Sequence, residues 1–129
     1  MNPVVHFEMP SEDMARTKKF YEEVFGWQMN QLGAEMGNYL LAGTTETDEK
    51  TQRPKTSGAI NGGFYPKGEF GTSSHVVISV PDIRAHIEKV KGAGGTIEGE
   101  PIDIPGIGTY VMFHDTEGNR VGMLQPKGM

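Results

Sequence analysis

Four pairs of residues stand 69 positions apart: His6 and His75, Asp13 and Asp82, Gly26 and Gly95, Gly37 and Gly106. The same gapless offset superposes Met9 on Ile78 and Met14 on Ile83. A fixed internal period reports a duplicated structural unit. The pairing also involves two of only four histidines, so the chain is read as one domain made of two similar modules, residues 1–66 and 72–126.

Each module opens on period-two patterning. Val5, Phe7 and Met9 alternate with His6, Glu8 and Pro10; Val76, Ile78 and Val80 form the apolar side of the matching strand. Ser11 or Asp13 then caps a helix carrying Met14, Phe20, Tyr21, Val24 and Phe25, with Gly26 past its end. In the second module Pro81 stops the strand and Asp82 caps. Ile83, Ile87 and Val90 make the stripe, which Gly92 closes. Short strand-like runs follow: "WQMNQL", "NYLLAG" and "GAINGGFY", then "GTIEGE", "GTYVMFH" and "NRVGMLQ". The pattern is βαβββ twice, an α+β layout with helices backing a curved sheet. Within the first module, between "NYLLAG" and "GAINGGFY", the segment "GTTETDEKTQRPKTSG", residues 43–58, holds no hydrophobic residue. It reads as a mobile solvated loop.

Composition narrows the function classes. A net charge of −5 with scattered Lys and Arg argues against nucleic acid. No stretch approaches the roughly 20 apolar residues of a membrane span, and none reads as a secretory leader. The absence of cysteine removes thiolate chemistry and suits a reducing, cytoplasmic setting. "PGIGTY" precedes a strand, so its G-x-G is a turn and not a nucleotide loop. Phe20, Tyr21, Phe25 and Trp27 read as helix-to-sheet packing, His86 as solvent-facing and His114 as a surface histidine.

The paired units, opened by "HFEMPSEDMARTKKFYEEVFGW" and closed by "GTYVMFHDTEGNRVGMLQP", resemble the vicinal oxygen chelate superfamily. That is the group of glyoxalases, bleomycin-resistance proteins and extradiol dioxygenases. Within it the chain is most similar to small proteins related to lactoylglutathione lyase. The most specific elements are "FYEEVFGW", "DIPGIGTY" and the D-x-x-G-N turn before the last strand.

The resemblance implies a cup-shaped half-barrel, built within one chain or across a homodimer, that takes a small-molecule ligand. It also implies a divalent metal (zinc, nickel, iron or manganese) held by one residue from the first and last strand of each module. Carried over, the first strands supply His6 and His75, while the last strands present Gly62 and Gly122, which have no side chain to give. Glu8 shares the face of His6 and becomes the candidate base or third ligand. Asn61, Arg120 and the two glycines become candidate ligand-binding positions, Gly62, Gly63 and Gly122 widening the cavity. Two functions stay open: a glyoxalase-like enzyme on a small oxygenated metabolite, with lyase- or dioxygenase-related chemistry, and a metal-free binding protein of the resistance type.

Overall fold

The computed structural model describes residues 1–51, 53–68 and 71–128. Contacts divide the chain into two units, His6–Ser74 and a second made of Met1–Val5 with His75–Met129. The first residues thus join the C-terminal unit, where Ser79 donates its N–H to the Pro3 carbonyl at 2.9 Å. Among the described residues no helix is long and apolar enough to cross a membrane.

The N-terminal unit contains β1 (Val4–Ser11, from His6 onward), α1 (Met14–Phe25), β2 (Gln28–Gln31), β3 (Leu40–Gly43) and β4 (Asn61–Pro66). Its strands run in the order β2-β3-β4-β1, with β1 and β4 parallel and the other pairs antiparallel. The C-terminal unit contains β5 (His75–Ser79), α2 (Ile83–Gly92), β6 (Thr96–Ile104), β7 (Gly108–His114) and β8 (Arg120–Pro126). It repeats the plan as β6-β7-β8-β5, with β5 and β8 parallel. The duplicated βαβββ reading therefore holds strand for strand.

The 69-residue echo has a physical meaning at the helix starts. Asp13 accepts from the Arg16 N–H and Asp82 from the Ala85 N–H, each satisfying a first-turn donor left without a partner in the helix. Their backbones agree within a few degrees, φ −139° and ψ 99° against φ −144° and ψ 99°. At the other end Gly26 adopts φ +70° and closes α1 as expected. The second helix ends differently: Gly92 remains helical, Ala93 caps, and Gly94 takes the left-handed turn.

Strand alternation assigns the two faces of each sheet. In the N-terminal unit the helix-covered face holds Met29, Leu40, Ala42 and Phe64, with Phe7, Met9, Met14, Tyr21 and Trp27 packed on them. Tyr21 and Trp27 stack at 4.7 Å, and Tyr21 meets Phe64 at 5.1 Å. Two aromatics expected in this packing do not enter it: Phe20 and Phe25 are 51% and 60% exposed. Phe20 lies off the line that Met14 and Tyr21 trace at two-turn spacing, and Phe25 is the last helical residue. In the C-terminal unit Val80, Ile83, Ile87, Val111 and Met123 form the core. Val76, by contrast with its strand partners Ile78 and Val80, stays exposed at the strand's start, as does Val5.

The polar segment after β3 carries its own hydrogen bonds. Asp48 N–H donates to the Arg53 carbonyl, Lys55 N–H to the Glu46 carbonyl, and the Asp48 carboxylate accepts from the Lys50 and Thr51 N–H groups. Those two bonds hold the Asp48 carboxyl below its ordinary value. Gln52 of this segment lies outside the described residues.

Candidate functional site

The second face of each sheet carries the polar residues singled out in the sequence. In the N-terminal unit, the β1–β4 register pairs His6 with Asn61 and Glu8 with Gly63. Residues directly paired project to the same side, so these four share one face. Gly62 does not: it pairs with Phe7, on the helix-covered face, and a Cβ there would lie 2.5 Å from the Phe7 ring. The glycine that faces His6 and Glu8 is Gly63.

Neither glycine opens a void. The space a side chain at 63 would fill is taken by the ring of Tyr39, the residue before β3. From there the Tyr39 hydroxyl donates to Glu8 Oε2 at 2.7 Å and meets His6 Nε2 at 2.9 Å. With Glu8 ionised, the single proton of the phenol goes to the carboxylate, and His6 Nε2 is the donor in the second bond. Glu8 and His6 are both half-buried. The result is a hydrogen-bonded carboxylate–phenol–imidazole row along one face. Asn61 stands beside it but turns to the polar segment, accepting from the Thr44 N–H at 2.8 Å and donating to Thr47 Oγ1 at 2.9 Å.

The C-terminal unit has its own version. Val77 pairs with Gly122, and Met112 faces Gly122 from β7. A Cβ at 122 would collide with the Tyr110 hydroxyl, which donates to Met112 Sδ at 2.8 Å. Each unit thus sets a tyrosine over a mid-strand glycine, and the expectation of glycines widening a cavity gives way to glycines admitting a ring.

His75 is buried on this side. Arg120 is engaged by a carboxylate that the sequence reading did not single out. Its Nε lies 3.1 Å and 3.2 Å from the two Glu98 oxygens, and its Nη2 lies 3.0 Å from Oε2. His114, a surface histidine, approaches the same carboxylate at 3.5 Å. Glu98 reaches this position where the β6–β7 register shifts, next to Gly99 at φ +64°. His86 lies at a partly exposed position, where its Nε2 meets Asn2 Nδ2 at 3.1 Å.

Hydrogen bonds from Arg120 hold the Glu98 carboxyl below its ordinary 4.5, against the opposing effect of partial burial. The Arg120 charge, His114 and His75 add to the lowering. A carboxylate with a lowered folded pKa stabilises the protein above its unfolded value, and that contribution fades as pH falls through the folded one. Glu98→Gln is therefore expected to lower the melting temperature at pH 7, with the difference from wild type closing as pH drops below 4.5. The pair is 22% and 38% exposed, so the effect stays under about 1 kcal/mol and shrinks in salt. A difference that widened in acid would contradict this account.

The residues present do not suit a tightly held divalent metal. A zinc site takes three or four protein ligands. Among the described residues no three His, Asp or Glu side chains are gathered to share one. In the N-terminal unit the Tyr39 phenol lies between His6 Nε2 and Glu8 Oε2, bonded to both.

Comparison with known proteins agrees with the fold. The family model for the Glyoxalase/Bleomycin resistance protein/Dioxygenase superfamily matches residues 4–123. A glyoxylase-like domain-containing protein of Didymella fabae is 31% identical, over 87% of this chain and 84% of its own length. A probable lactoylglutathione lyase of Vibrio parahaemolyticus is 29% identical, over 96% of this chain and 91% of its own. Among solved structures, a methylmalonyl-CoA epimerase of Streptomyces coelicolor bound to 2-nitronate-propionyl-CoA superposes with a TM-score of 0.69. It is 15% identical, with 97% of each chain covered, and shows the shared fold. With nearly the whole chain matched, this protein belongs to the Glyoxalase/Bleomycin resistance protein/Dioxygenase superfamily.

Proposed function

We propose that the chain is a glyoxalase-like enzyme that moves a proton at a carbon beside the carbonyl of a small oxygenated metabolite, with Glu8 as the base. The observation that carries this reading is the Tyr39 hydroxyl held between Glu8 Oε2 and His6 Nε2. A carboxylate fixed by a hydrogen bond on a half-buried face has the type and placement of a general base. When it takes the carbon-bound proton, the C–H electron pair moves toward the carbonyl oxygen.

The names of the relatives support the substrate class. Lactoylglutathione and methylmalonyl-CoA, which appear in them, are both acyl thioesters with a substituted carbon next to the carbonyl. A divalent metal is not required by this reading, since the donor set favours hydrogen bonding; a weakly held one would be accessory.

The test has two arms on the wild-type protein. A panel of small 2-hydroxy and 2-oxo acids and short acyl thioesters is screened for thermal stabilisation, because a ligand that binds only the folded state raises the melting temperature. Those that bind are incubated in deuterium oxide, and loss of the proton signal beside the carbonyl is followed by NMR. Exchange in at least one stabilising compound is expected. Stabilisation with no exchange in any of them would replace the enzyme reading with that of a non-catalytic binding protein.

A further inference from the structure

We infer that the exposed face of α1 pairs with the same face of a second copy of this chain, the two helices running antiparallel. The face lies on the helix-covered side of the N-terminal unit, so the pairing stands apart from any chemistry at Glu8.

No residue of α1 is buried, and three of its apolar side chains, Phe20, Val24 and Phe25, are each more than half exposed. The rings among them adjoin. Phe20 meets Tyr21 edge-on at 5.0 Å and Phe25 at 6.3 Å, so the half-buried stack on the sheet continues outward through exposed aromatics. Single apolar residues scattered on a surface are ordinary, whereas adjoining aromatic ones mark a contact surface.

The charges say what covers it. In MARTKKFYEEVF the first half carries Arg16, Lys18 and Lys19 with no acid, and the second half Glu22 and Glu23 with no base. That order opposes the helix dipole, which favours acids at the start and bases at the end. The Lys18–Glu22 and Lys19–Glu23 pairs, at 3.7 Å and 3.9 Å, also run in the weaker direction, lysine before glutamate. The helix itself gains little from this arrangement. An antiparallel copy uses all of it, because each basic half then faces an acidic half. Arg16 and Glu23 are two turns apart, on one stripe with Phe20, and equally far from the point midway between Lys19 and Phe20. A two-fold axis through that point sets Arg16 against Glu23 twice and brings the Phe20 rings together. A partner of one charge sign, an anionic lipid surface included, would be repelled by one half of the helix. One helix face is small beside the roughly 1,200–2,000 Å² of a stable interface, so the dimer is concentration-dependent.

Sedimentation velocity of the full chain, from micromolar to near-millimolar concentration, is expected to show a monomer–dimer equilibrium. Phe20→Asp should weaken it at least about tenfold, as should reversing either charge with Arg16→Glu or Glu23→Arg. The double variant Arg16→Glu with Glu23→Arg exchanges the two ends and should recover affinity to within about threefold of wild type. All three positions are exposed, so the melting temperature should stay close to wild type throughout. A monomer at every concentration would leave the face to a different protein and overturn the inference. So would a dimer that Phe20→Asp leaves intact, or a double variant no tighter than the single reversals.

Discussion

Glu8→Gln is expected to slow solvent exchange at the substrate carbon by about 10²- to 10⁴-fold, the span that a positioned acid–base group contributes. At 1.36 kcal/mol per decade that is roughly 3–5 kcal/mol of barrier. The substitution suits the purpose because it alters little else. Glutamine keeps the length of the side chain, and its carbonyl oxygen still accepts from the Tyr39 hydroxyl that now meets Oε2. The chain of bonds to His6 survives, so folding and ligand affinity should stay within a few fold of wild type. What disappears is the negative charge able to take a proton from carbon. Affinity and rate must therefore separate: a parallel fall in binding and exchange would mean that Glu8 holds the ligand and something else is the base. Tyr39→Phe supplies the contrast, since it leaves the carboxylate charged but without its hydrogen-bonded partner, and a smaller loss is expected.

The sequence reading located the elements well where the signal was local. Asp13 and Asp82 are caps because a short carboxylate competes for the first-turn N–H groups, and that chemistry is visible in the residue type and its place before a helical stripe. The run "GTYVMFH" became β7 residue for residue because turn signals bound it on both sides. The site was harder because it is written across strands. Gly62 and Gly63 are adjacent in sequence yet lie on opposite faces, and a shift of one residue in register exchanges them. Tyr39 and Glu98 reach His6 and Arg120 from 33 and 22 positions away, which no periodicity reports. A hint was present in the glycines themselves. A mid-strand glycine facing a polar row implies a bulky neighbour as readily as a vacancy, and each time the aromatic sits on the adjacent strand or at its start. The exposed Phe20 and Phe25 show the reverse limit: helical spacing identifies a stripe, but the width of the sheet beneath decides how much of it is covered.

Truncating Leu40 to alanine should lower the unfolding free energy by about 2–5 kcal/mol, among the largest effects of any single core change in the N-terminal unit. Leu40 is 0% exposed, sits in β3 between Gln31 of β2 and Phe64 of β4, and belongs to the cluster with Met29 and Ala42. The loss combines the transfer of the removed carbons with the cavity they leave, and the cavity part depends on how well the surroundings collapse. Here the roof of the cluster is made of half-buried side chains, Met14, Tyr21 and Trp27, with no residue of α1 fully buried. A flexible methionine can settle partway into the gap, which favours the middle of the range over its top. The next residue provides an internal control. Leu41 pairs with Gly63 on the opposite face and is 38% exposed, so Leu41→Ala should change stability by no more than about 1 kcal/mol. Urea unfolding of the two variants measures both at once. If Leu41→Ala proved as costly as Leu40→Ala, the β3 faces would be reversed, and with them the placement of the Tyr39 ring beside Glu8 and His6. The stability contrast between two adjacent leucines is thus also a test of the register on which the site depends.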